Sequence, residues 1–155
     1  MLSQRAFTET AFEVERDVAV GHPVYREAAY ALLRATVGVV FLFSGITKIM
    51  GGVGEFAAGM QQQFAGKLPM FLVTPFAYAL PFAEVIIGGL LVFGLFNVLA
   101  LILAGLLMLA LTFGTVMKGD FPTVAHNVSY AVVIFVLLWL SEYNGYSLDR
   151  ARLKR

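Results

Sequence analysis

Five ionisable or strongly polar side chains fall inside stretches that are otherwise almost wholly apolar: Arg34, Lys48, Glu84, His126 and Asn127. Arg34, Gly38, Phe41, Gly45 and Lys48 follow one another by steps of 4, 3, 4 and 3 residues. Such steps put all five on one helical stripe. Glu84, Gly88 and Leu91 share a face in the same way, just after Pro81. A carboxylate deep in a membrane span costs roughly 2–3 kcal/mol on insertion scales unless it is paired or neutral. Glu84 must therefore face other helices, and Lys48 is the partner its position favours. Helical side chains lean toward the N-terminus of their own helix, so Lys48 and Glu84 on antiparallel helices reach toward each other. The alternative is a Lys48 that snorkels out to headgroups and a neutral Glu84 bonded to a backbone carbonyl.

His126, Asn127 and Ser129 open the last apolar stretch at the same end as Lys48, with Asp120 in the adjoining turn. Lys48, Glu84, His126 and Asn127 can thus line one polar pocket, although a lone histidine at a helix start commonly serves as a cap or interfacial group. A quinone head needs a few hydrogen-bonding groups in an apolar cleft, and a titratable Glu or His can pass protons. Arg34 lies in the other half of its span and is expected to act as an anchor reaching the headgroup phosphates there. Gly38, Gly45, Gly88 and Gly94 are expected to let helices approach closely.

Other chemistries are excluded or unsupported. The 155 residues contain no cysteine, which rules out disulfides, thiolate catalysis and thiolate-held iron–sulfur clusters within them. The two histidines, His22 and His126, lie on opposite sides of the predicted membrane and cannot share a haem. No metal-binding spacing, Gly-rich phosphate loop or Ser-His-Asp set occurs. A net charge of +1, without a basic face, argues against nucleic acid as a partner.

These side chains need elements to hold them, and composition says what those elements are. The chain is 59% hydrophobic and 14% charged, well short of the quarter or so of charged residues in a soluble domain. We expect an all-α integral membrane protein, a four-helix transmembrane bundle with spans at about 25–50, 74–96, 98–117 and 123–142. Gly51-Gly52 ends the first span, and a short interfacial helix over Glu55 to Gly66 precedes Pro69. Pro75 suits the first turn of the second span. Residues 1–24 read as a short amphipathic surface helix, with Thr10 and Glu13 spaced as a capping box. Its acidic residues Glu9, Glu13, Glu15 and Asp17 do not suit a cleavable signal. Residues 143–155 form a basic tail. Arg5, Arg16 and Arg26 at one end and Arg150, Arg152, Lys154 and Arg155 at the other outnumber Lys67 and Lys118 in the intervening connections. The positive-inside rule then puts both termini in the cytoplasm.

The run from Arg34 through Gly38, Phe41 and Gly45 to Lys48 resembles the first helix of the DoxX family of small bacterial membrane proteins. The run from Pro81 through Glu84, Gly88 and Gly94 resembles that family's second helix. The resemblance implies a four-helix bundle in the bacterial inner membrane and a link to quinone-dependent oxidation. Two functions follow as expectations. One is a small subunit of a respiratory or quinone-linked oxidoreductase, with Lys48, Glu84, His126 and Asn127 at a quinone or proton site. The other is a structural or assembly subunit of a larger membrane complex without chemistry of its own. Either way the partners are the lipid bilayer and other membrane subunits. A transporter is less favoured, because no internal repeat is visible.

Overall fold

The computed structural model describes residues 23–153 together with Glu13. The amphipathic helix expected over residues 1–24 lies almost wholly outside the described residues. Among them there is no strand. The helices are α1 (Pro23–Met50), α2 (Val53–Phe64), α3 (Met70–Phe93), α4 (Asn97–Lys118), α5 (Phe121–Trp139) and α6 (Leu148–Leu153), with a 3-10 turn at Ser141–Tyr143. Four of these, α1, α3, α4 and α5, are long and apolar enough to cross a membrane. The 28 residues of α1 span about 42 Å, against roughly 30 Å of hydrocarbon.

Helix ends are set by local chemistry that periodicity does not register. The second span starts at Met70 rather than near residue 74, because Pro69 sits in an extended conformation and caps it. Pro75 consequently lies inside the helix, as does Pro81, rather than in the first turn. Gly94 ends α3 in the left-handed region (φ 65°). Its N–H bonds Leu91 O and that of Leu95 bonds Leu90 O, the paired closure of a Schellman motif. Phe96 also has positive φ (46°), an uncommon state for a bulky residue. It is held there by Asp149, whose carboxylate accepts from the N–H groups of Phe96 and Asn97 at 3.0 Å each. Gly119 (φ 77°) ends α4, and Asp120 caps α5 by accepting from Thr123 N and Thr123 Oγ1. The last span therefore begins at Phe121 and ends at Trp139, three residues short of the expected 142.

Burial runs opposite to that of a soluble protein. Leu32, Phe71, Leu109 and Trp139 are each about two-thirds exposed or more, while Arg34, Glu84, Asn97 and Asn127 are buried. Side chains that would be a liability in water face outward, so the surrounding solvent is lipid. The helices pack as two antiparallel pairs, α1 with α3 and α4 with α5, and α2 lies against α3.

Glycine makes the α1–α3 contact possible. A Cβ on Gly88 would lie 2.3 Å from Leu42 N and 2.7 Å from Gly38 O. One on Gly45 would lie 2.5 Å from Pro81 O. Backbone meets backbone at these points, as small residues allow in membrane helix pairs. Gly94 plays a different part from the other three. It is the left-handed cap of α3, and the Arg34 guanidinium lies where its side chain would be.

The chain beyond α5 packs back on the end of the bundle that carries the start of α1. Arg34 is buried there, donating through Nη1 to Asn144 Oδ1 and through Nη2 to Tyr146 O (2.9 Å). It faces the C-terminal segment rather than the headgroups. Asn97 donates to Tyr30 Oη at 2.7 Å beside it. Arg150 pairs with Glu27 at 2.6 Å. The described part of the basic tail is thus part of the folded bundle.

Candidate functional site: a roofed polar cavity

Lys48 sits in the last turn of α1, where a cation also complements the helix dipole. Glu84 sits mid-way along α3, opposite it. Lys48 Nζ donates to Glu84 Oε1 and Oε2 at 2.6 Å each and to Ser44 Oγ at 2.7 Å. Ser44 Oγ in turn donates to Glu84 Oε1 at 3.3 Å. The Glu84 side chain is 5% exposed and that of Lys48 is 23% exposed. The carboxylate is thus enclosed, and the ammonium forms the edge of the pair that a ligand can reach. Both oxygens of the acid are satisfied, as a buried carboxylate requires. Ser44 was not foreseen from the sequence. Its signal is the spacing: it lies one turn before Lys48, on the same face.

Around this pair is a cavity of about 800 Å³ between the α1–α3 and α4–α5 layers. Lys48, Glu84, His126 and Asn127 all line it. So do Phe56, Met60, Gln63 and Phe64, which project from α2 across its end as a roof. The Lys48 ammonium lies 5.6 Å from the centre of the Phe56 ring, a cation–π distance. Two contacts fasten the roof. Gln61 Nε2 donates to Thr74 Oγ1 on α3 at 3.1 Å, and Lys118 Nζ on α4 donates to Gln63 Oε1 at 2.8 Å. Lys118 also lies 5.9 Å from the Phe64 ring.

The α5 wall is polar at one level. Asn127 is buried and donates to Thr115 Oγ1 at 3.4 Å. His126 is exposed, and its ring stands edge-on to Tyr130 with centroids 5.0 Å apart. His126 makes no hydrogen bond to the ion pair. The two lie on different walls of the same space. Glu55 adds one more charged group, and the rest of the lining is apolar and aromatic, with Phe41, Phe76 and Leu80 among it. Arg34 lies at the other end of α1 and does not line the cavity.

Charge within the lining balances. Lys48 and Lys118 are matched by Glu55 and Glu84. A space of this size with apolar walls and a few convergent polar groups suits a small neutral molecule with hydrogen-bonding atoms at one end.

A family model described as methylamine utilisation protein MauE matches residues 26–121. This corrects the DoxX resemblance. Gly-spaced helix faces and an intramembrane acid–lysine pair are what any closely packed membrane helix pair with a buried charge requires. The runs around Lys48 and Glu84 therefore report a packing solution and do not discriminate between families. No curated protein and no solved structure matches the chain.

Proposed function

The chain belongs to the MauE family of membrane proteins, and from this we propose that it is a membrane-embedded accessory component of methylamine utilisation whose roofed cavity holds a quinone head. The observation that carries this reading is the cavity built around Lys48, Glu84 and Ser44. A quinone is neutral, flat and apolar apart from its carbonyl oxygens. The balanced charge of the lining suits neutrality, and Phe41, Phe56 and Phe76 suit a flat ring. Asn127 Nδ2 has a second N–H beyond the one given to Thr115, and a quinone carbonyl can replace Ser44 Oγ as the third acceptor of the Lys48 ammonium. Methylammonium fits the same space poorly. It would meet Lys48 and Lys118, with Glu84 already engaged by Lys48 and Glu55 the one lining carboxylate outside the pair.

With no cysteine in the 155 residues, these residues perform no thiol–disulfide exchange. Electrons reaching a bound quinone would come from a partner protein, which is why the role is accessory. The excess of arginine at the end carrying Arg26 and Arg150 supports cytoplasmic termini in a bacterial inner membrane. The cavity then opens in the outer half of the bilayer.

The test is retention. Protein purified in mild detergent should carry extractable quinone above the level of an unrelated membrane protein prepared alongside. The paired variant Lys48→Met with Glu84→Gln removes the charges together and should lose most of it. Quinone at background in the wild type, or equal in both proteins, overturns the reading. A purely structural subunit is the second reading. It draws on the completeness of the ion pair, which already satisfies both Glu84 oxygens without a ligand. It expects background quinone in the wild type and loss of companion proteins on disruption of the bundle.

A further inference from the structure

At the opposite end from the roofed cavity, a second hollow of about 380 Å³ lies between the start of α1 and the end of α5. It shares no lining residue with the first. Its walls are apolar: Leu33 from α1, Val136 and Leu137 from α5, and Leu140 just beyond. Leu137 is buried at its base, whereas Leu33 and Val136 are exposed along its sides. At its edge stand Arg26 and Tyr143. Arg26 Nη1 donates to Tyr143 Oη at 2.9 Å, and the guanidinium carbon lies 5.5 Å from the ring centre. The ring therefore holds the cation in place over the hollow.

Two arginines with described side chains lie near this surface, and they differ. Arg150 is matched by Glu27 at 2.6 Å. Arg26 has no carboxylate within ion-pair distance among the described residues. A guanidinium has five N–H donors, and one is given to Tyr143. Among the described residues the others have no hydrogen-bond acceptor, and their fork geometry suits phosphate. The 28-residue α1 is about 12 Å longer than the hydrocarbon core, which puts Arg26, in its first turn, near headgroup level at the end of an apolar trough. That combination is complementary to one kind of molecule.

We propose that this hollow binds an anionic glycerophospholipid, one acyl chain lying against Leu33, Val136, Leu137 and Leu140 and the phosphodiester on Arg26. The apolar walls give chain affinity without regard to headgroup. Arg26 gives the preference for negative charge. The contribution of one basic residue near the membrane surface, about 1 kcal/mol, corresponds to a factor of about five.

The experiment uses the full chain, delipidated and reconstituted into nanodiscs of equal parts phosphatidylglycerol and phosphatidylcholine. Lipid retained after extraction into mild detergent is counted by native mass spectrometry. The wild type should keep phosphatidylglycerol over phosphatidylcholine about fivefold. Arg26→Gln should still keep lipid but without preference. Leu33→Trp, which fills the trough, should keep fewer lipids of both kinds. Lys67→Gln, a charge removed at the other end of the bundle, should leave the preference unchanged. Equal retention of the two lipids by the wild type overturns the proposal, as does a preference that survives Arg26→Gln. If Arg26→Gln does not fold, Leu33→Trp alone decides, and undiminished retention there counts against the site.

Discussion

Replacing Lys48 by methionine should destabilise the protein more than replacing Glu84 by glutamine, and making both changes should cost less than the first alone. Removing one partner of a fully buried ion pair costs about 3–5 kcal/mol, because the other charge is left without compensation. Here the Lys48 side chain keeps 23% of its exposure and Glu84 only 5%, so solvent screening enters from the lysine side. We take about 2–3 kcal/mol for Lys48→Met after that discount. Glu84 would retain only the 3.3 Å bond from Ser44. In Glu84→Gln the orphan is the lysine, two residues from the end of α1, and its flexible stem can carry the ammonium outward. That change should cost about 1 kcal/mol. The double variant strands nothing and should also lie near 1 kcal/mol below wild type, a coupling of about 2–3 kcal/mol. In thermal unfolding in detergent, Lys48→Met should lower the midpoint by about 4–12 °C. The reasoning fails if the two single variants are equally stable, or if the double variant is as unstable as the sum of both.

The glycines of α3 supply an internal control. Gly88→Ala puts a methyl 2.3 Å from Leu42 N, a backbone atom that cannot step aside, so it should separate α1 from α3 at a cost of about 1–3 kcal/mol or more. Gly89→Ala meets nothing within 4 Å and should stay within about 0.5 kcal/mol of wild type in the same unfolding assay. Asp120 offers a pH test. Hydrogen bonds from the Thr123 hydroxyl and the Thr123 N–H hold its carboxyl below the usual 3.8. A lowered folded-state value means that this stabilisation is complete above the unfolded value and is lost as the pH falls through the folded one. The midpoint of the wild type should therefore fall more steeply than that of Asp120→Asn below about pH 4, and parallel curves would show that the cap carries no titrating contribution.

The approach of Lys48 to Glu84 was readable in advance because two simple rules converge on it. An intramembrane acid needs a partner, and side chains on antiparallel helices lean toward each other. The close contact at Gly38, Gly45 and Gly88 was readable for the same kind of reason, since small residues on the face of a charge mark a helix interface. Other features had no such signal. Ser44 looks like any small polar residue until Lys48 and Glu84 are placed around it. That Arg34 is buried under the C-terminal segment instead of reaching headgroups was not readable, because periodicity puts it on a buried stripe without saying what covers that stripe. The covering residues, Asn144 and Tyr146, lie more than a hundred positions away. The family resemblance failed because it rested on residues that packing alone demands.

Composition and hydrophobic periodicity determined, with no reference to any contact, that this chain lives in lipid and that its few intramembrane charges turn inward. Both follow from transfer free energies, which depend on residue type and local spacing. Tertiary structure decided that α2 lines one end of the cavity, that Phe56 lies beside Lys48, and that the C-terminal segment buries Arg34 and caps α4 through Asp149. These depend on where distant segments meet, and a pattern that repeats every 3.6 residues contains no information about that.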